Sequence, residues 1–321
     1  MHPSPSPPPQ RAPKRRSTQP RRTFTARFGR WIVVELILLG TWAAAGQEAP
    51  PPRPRLNGNI ILTPVKVGNE VCTFIVDTAA SIDIYDVNLQ GSAQLIPGAR
   101  ITVEDAGGVK EAAQLYRAPA AQTENGVALA VEPVIVRDLG NYARVMGCNV
   151  DGILGARSLR QMVVKVNPFE GKVTFFSGIQ AFNEPLLLYK KITVRWTDHT
   201  PLISVLLPDG TLVDAVLDTG FSDGIVLPAA VYDRLAKAGV VRPVEEKRRA
   251  KLQNLFSTSG DHQEGQLRWI EIDGLRFPDI PIAGSGNTIA VGTAILFRRE
   301  VVFDLGHDAL YFRRAEDRTL R

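Results

Sequence analysis

Apolar runs interrupted by turn residues recur in two stretches of this chain that share one layout. Residues 60–67 and 70–76 are rich in Ile, Val, Leu and Phe and flank Gly68-Asn69, a two-residue signal for a tight β-hairpin. Residues 202–207 and 211–217 flank Pro208-Asp209-Gly210 in the same way. Each second strand runs straight into an aspartate, Asp77 in one case and Asp218 in the other.

The likeness continues downstream. Asp151-Gly-Ile-Leu-Gly-Ala-Arg-Ser-Leu159 precedes apolar runs at 163–166 and 172–176. Ile289-Ala-Val-Gly-Thr-Ala-Ile-Leu296 precedes similar runs at 301–304 and 309–312. The two aspartates stand 141 residues apart, and Gly155 and Gly292 stand 137 apart. Nearly equal offsets at separate landmarks predict a duplicated unit, with lobes at 58–182 and 183–321. Helical signals are few. Residues 228–239 open on Pro and close on Gly, with Val231, Leu235 and Ala238 predicted on one face. Short helices are expected at 156–162 and 293–297. The expected fold class is therefore all-β with few short helices, in two β-rich lobes.

The N-terminus departs from this pattern. Residues 1–30 are rich in Pro, Ser and Arg and read as a disordered basic tail. Residues 31–46 are apolar apart from Glu35 and end on Ala43-Ala44-Ala45-Gly46. A basic lead, an apolar centre and a small-residue end match an export signal, and 16 residues is short for a spanning helix. The alternative is an uncleaved anchor with the basic tail inside. Either reading puts the remainder outside the cytoplasm, in the periplasm or secreted, with membrane association through residues 31–46 under the second. Residues 47–57 contain Pro50-Pro51-Pro52-Arg53-Pro54 and read as a stiff linker.

Charge changes the picture once it is located. The chain carries +5 overall. Residues 1–30 hold eight Arg and Lys and no acid, so the part after Gly46 comes to −2. That near-neutral remainder gives no electrostatic reason to bind nucleic acid. Cys72 and Cys148 would be free to bridge in an oxidising compartment, and two buried thiols are the equal alternative. His2, His199, His262 and His307 have no metal-ligand spacing.

The chemistry concentrates in Phe74-Ile-Val-Asp-Thr-Ala-Ala-Ser81 and Ala215-Val-Leu-Asp-Thr-Gly-Phe-Ser222. Two carboxylates brought face to face cannot both ionise, so together they hold an acid and a base. Two apolar residues, Asp-Thr-Gly-x-Ser, then apolar-apolar-Gly some 75 residues on, resembles the aspartic proteases, in particular their retropepsin-like branch. With two units in one chain, as in the pepsin-like branch, the resemblance implies a site assembled within a monomer. It covers residues 58–321.

Carried over residue by residue, the resemblance makes Asp77 and Asp218 the catalytic pair of an endopeptidase. Thr78 and Thr219 would donate hydroxyls to the opposite loop, and Ser81 and Ser222 would hydrogen-bond the outer carboxylate oxygens. The implied substrate is a polypeptide, and no metal or organic cofactor is required. Hairpins over the cleft are expected at residues 101–110, around Gly107-Gly108, and at 255–265. One departure stands out: Ala79 occupies the place of Gly220, where a Cβ restricts how the loop turns. The competing reading is a two-lobed peptide-binding protein with weak or no catalysis.

Overall fold

In the first expected hairpin, Ile60–Val67 pairs antiparallel with Glu70–Val76, and Val67 lies opposite Glu70 across the two-residue turn. Gly68 takes φ +59°, a left-handed value that glycine adopts without a Cβ penalty. In the second hairpin Thr200–Leu206 pairs with Leu212–Leu217, and its inward positions Pro201, Ile203 and Val205 alternate with partly exposed ones. This computed structural model describes residues 53–104, 109–129, 133–244, 263–284 and 287–314.

Both lobes continue in the same topology. In the first, Gly152–Leu154 lies parallel to Glu70–Val76, and Ile84–Asp86 lies antiparallel to Gly152–Leu154 and parallel to Pro133–Arg137. In the second, Ala290–Val291 lies parallel to Leu212–Leu217, and Ile225–Leu227 lies antiparallel to it and parallel to Leu275–Gly284. Short helices follow at Ala156–Leu159 and Thr293–Leu296. The protein is thus all-β in two β-rich lobes built on one repeated plan.

A joining sheet connects the lobes. Val163–Asn167 and Lys172–Phe176 from the first unit meet Val301–Asp304 and Ala309–Arg313 from the second, with Val164 opposite Phe303. Tyr189–Thr193 adds to one side, paired with Ala309–Arg313, and Arg55–Asn57 adds to the other. The main apolar core passes through this sheet from Phe74 and Leu154 to Leu217, Val291 and Phe312. Phe74 meets Tyr85 edge to face at 5.3 Å between ring centres. A Cβ on Gly152 would lie 2.1 Å from the Phe74 ring, so only glycine fits there.

A half-buried charged cluster lies on the same sheet, with Glu300 its buried charged member. Lys165 and Arg313 each bond Glu184 and Glu300, with Arg313 at 3.0 and 2.9 Å and Lys165 at 3.2 Å from Glu300. The Tyr189 hydroxyl lies 2.5 Å from Glu300 and 2.9 Å from Glu184. Two cations match two carboxylates, which is what buried charge requires.

Several expectations need correction. Arg55–Asn57 is a strand paired with Ile60–Leu62, so the linker expected over 47–57 ends earlier. The helix expected over 228–239 spans Ala229–Lys237 and buries Tyr232 and Leu235, while Ala238 is exposed. A helix at Gly140–Met146 was not expected; it ends at Gly147 in the left-handed region. Cys72 is buried and Cys148 partly so, and both are free thiols. Burial, with Asp151 and Glu70 nearby, pushes the Cys72 thiol up to about 11.

The basic tail and the segment 31–46 lie outside the described residues, as do 105–108 at the tip of the first expected flap and 255–262 of the second. The first flap's arms are strands, Gln94–Glu104 and Lys110–Arg117, in register with Glu104 opposite Lys110. Among the described residues no helix is long and apolar enough to cross a membrane.

Candidate active site

Asp77 and Asp218 each stand where a strand ends against a parallel neighbour. The Asp77 N–H donates to Leu154 O at 2.9 Å, and the Asp218 N–H donates to Val291 O at 3.1 Å. Each chain then turns sharply, and the two turns meet. Thr78 donates its hydroxyl to Leu217 O at 2.5 Å, and Thr219 donates its hydroxyl to Val76 O at 2.8 Å. The Thr78 N–H donates to Thr219 Oγ1, and the Thr219 N–H to Thr78 Oγ1, both at 3.0 Å. Both threonines are buried, over an apolar floor of Ile61, Val76, Leu159, Val164, Phe303 and Leu305.

This closed set of four bonds brings the carboxyls together. The Ala79 and Ala80 N–H groups donate to Asp77 Oδ1 at 2.8 and 3.2 Å. The Gly220 N–H donates to Asp218 Oδ1 at 2.9 Å and also faces the Asp77 carboxyl. A Cβ built on Gly220 would lie 2.5 Å from Asp77 Cγ. Asp77 therefore rests directly on the opposite loop.

The electrostatics follow from this crowding. Burial pushes the Asp77 carboxyl above the usual carboxylate range, while the Ala79, Ala80 and Gly220 amides pull it back. Burial pushes Asp218 well above that range, and the negative charge of Asp77 adds to it, against the Gly220 and Phe221 amides. Two such groups share one proton across a range of pH and titrate as a pair.

The expected supporting residues divide. Thr78 and Thr219 make the cross-loop bonds expected of them. Ser81 and Ser222 are exposed, and among the described residues neither hydroxyl bonds a carboxylate; the Ser222 carbonyl instead accepts from Asn59 Nδ2 at 3.1 Å. Backbone amides take their place at the aspartate oxygens. Sequence reading passes over that role because an amide donor carries no residue signature. Ala79 is not in the left-handed region, so its Cβ imposes no backbone strain of the kind expected.

No protein-family model matches the chain, and no curated protein matches it. Among solved structures, the basic 7S globulin from soybean is similar at a TM-score of 0.49 and 11% identity, over 81% of this chain and 93% of that one.

Proposed function

We propose that this chain is an exported aspartic endopeptidase acting as a monomer on polypeptides. The observation that carries the reading is the reciprocal bonding of the Thr78 and Thr219 loops, which sets two raised carboxyls against each other. The ionised member of the pair would take a proton from a water held between Asp77 and Asp218. That water would attack the peptide carbonyl while the protonated member stabilises the developing oxyanion and then supplies the leaving nitrogen. No covalent intermediate and no cofactor enter this scheme. Export rests on the pattern of residues 31–46, as a cleaved signal or as an anchor.

Exposure of Ser81 and Ser222 supports a second reading, a peptide-binding protein that keeps the paired loops without efficient turnover. Incubation with a mixed peptide library between pH 3 and 8, with and without the statine-type inhibitor pepstatin, separates the two. The endopeptidase yields inhibitor-sensitive fragments, and Asp218→Asn lowers their rate by about 10²–10⁴-fold while the fold persists. Pepstatin or peptide binding without fragments supports the binding protein. Full turnover by Asp218→Asn removes this residue from the site.

A further inference from the structure

The two lobes close the same joint differently. In each, the residues just past the strand lying parallel to the Asp-bearing strand hand N–H groups to the Asp loop. In the second lobe Gly292 N–H donates to Gly224 O at 2.7 Å, and Thr293 N–H to Phe221 O at 2.8 Å. The first lobe repeats the second of these bonds: Ala156 N–H donates to Ala80 O at 2.6 Å. It replaces the first one. Gly155 N–H donates not to a carbonyl but to Asp83 Oδ1 at 2.7 Å. Asp83 occupies the place of Gly224, six residues beyond its lobe's aspartate.

The other Asp83 oxygen is engaged as well, accepting from Ser158 Oγ at 2.5 Å. Asp83 is only 6% exposed and Ser158 1%. Burying a carboxylate where the sister lobe manages with a backbone carbonyl is costly unless the carboxylate orders something a carbonyl does not. What it orders lies one step from the candidate dyad. Ala80 accepts from Ala156 through its carbonyl and donates its N–H to Asp77 Oδ1 at 3.2 Å. Gly155 is pressed so close that an added Cβ would lie 2.5 Å from Ala80 O and 2.7 Å from Ile82 O. Any shift of the Gly155 turn is therefore passed to the loop that holds Asp77.

We infer that Asp83, with Ser158, is a positioning residue that fixes the amides cradling Asp77 from the first lobe alone. The inference rests on the reading of Asp77 as a member of the dyad. The second lobe has no such side-chain latch on its Gly292 N–H, so the two aspartates are held by different means. Asp77 depends on a side-chain pair that a point substitution removes; Asp218 depends on backbone and on Thr293, whose hydroxyl donates to Phe221 O at 3.0 Å.

The test compares wild type, Asp83→Ala, Asp83→Asn and Ser158→Ala in the full chain. The first readout is residue-resolved amide hydrogen exchange, which needs no substrate. Asp83→Ala is expected to speed exchange at Ala79 and Ala80 by about 10- to 100-fold while leaving Gly220 and Phe221 unchanged. Asp83→Asn, whose carboxamide oxygen still accepts from Gly155, restores most of the protection. Equal acceleration in both loops, or none at Ala79 and Ala80, overturns the inference.

The second readout is peptide cleavage, where kcat falls about 10- to 100-fold in Asp83→Ala with KM within twofold. An unchanged kcat in folded Asp83→Ala also overturns it. Absence of cleavage by wild type counts against the endopeptidase reading alone, and exchange then decides the positioning role. If Asp83→Ala does not fold, Ser158→Ala takes its place, with exchange at Ala80 expected to rise about fivefold. No rise there overturns the inference.

Discussion

Thr78 and Thr219 each bond the carbonyl immediately preceding the other's aspartate, Leu217 O for Thr78 and Val76 O for Thr219. Each hydroxyl also receives the other's N–H. The aspartates are thus spaced by a contact between their own loops and not by the distant packing of the lobes. Removing either hydroxyl leaves a buried carbonyl and a buried N–H without their partners.

That arrangement makes the two threonines energetically one unit. Thr219→Val is expected to cost about 2–4 kcal/mol, because the stranded groups keep their desolvation penalty. Thr78→Val should cost a similar amount. Removing both should cost less than the sum by about 1–2 kcal/mol, since the second change strands groups the first has already loosened. Denaturant unfolding of the single and double variants measures this. Strict additivity would mean that the loops do not act together.

Gly220 and Ala79 occupy equivalent places, but the second-lobe position has no room for the Cβ that Ala79 carries. A Cβ on Gly220 would fall 2.5 Å from the Asp77 carboxyl carbon, and that carboxyl can give way only by leaving its amide donors. Gly220→Ala is expected to lower kcat/KM by about 10²-fold through displacement of Asp77. Ala79→Gly removes a Cβ from a loop that holds it without a left-handed backbone. It should leave kcat within a few-fold and cost about 0.5–1 kcal/mol through the freer unfolded chain. Cleavage assays and thermal unfolding on both variants test the asymmetry. A tolerant Gly220→Ala would refute the close approach of Asp77.

Local patterning made the two hairpins, the Asp-Thr loops and the duplication legible. The hairpins and loops are each encoded in one short contiguous stretch, and the second copy corroborates the first. What stayed hidden depends on partners far along the chain. Arg55–Asn57 looks like linker because it follows the Pro-rich run; the Gly58-Asn59 turn to Ile60–Leu62 is a local hairpin signal, and only the pairing with Lys172 lies far along the chain. Gly140–Met146 lacks a side-chain cap and buries no residue, so neither capping nor periodicity announces it. Ala238 is expected on the inward face, but the helix ends at Lys237, and Tyr232 and Leu235 are its buried residues. Asp83 was readable only by comparing the lobes, as an acid where the sister loop has glycine. The exposure of Ser81 and Ser222 shows the limit of motif spacing: backbone amides already occupy the oxygens the hydroxyls were expected to bond.

Two groups of partly buried carboxylates respond to pH with opposite sign. Asp77 and Asp218 are raised, so the folded state holds protons that the unfolded chain releases. Stability from them is full at acid pH and falls as pH climbs from the ordinary carboxylate range, near 4, through the raised values. Asp218→Asn removes the most raised group. Its melting temperature should exceed that of wild type at pH 7, and the gap should close near pH 4.

Glu184 and Glu300 behave conversely. Burial pushes both up, but hydrogen bonds and charge from Lys165, Tyr189 and Arg313 outweigh it and hold them below the usual range. Their contribution is complete at neutral pH and lost as pH falls below about 4. Glu300→Gln should therefore destabilise by about 2–4 kcal/mol at pH 7, leaving Lys165 and Arg313 undercompensated, and by much less at pH 3. Melting temperatures of wild type and both variants from pH 3 to 7 decide the matter: the Asp218→Asn difference grows positive with rising pH while the Glu300→Gln difference grows negative. Parallel curves for both variants would mean that neither site titrates as its surroundings dictate.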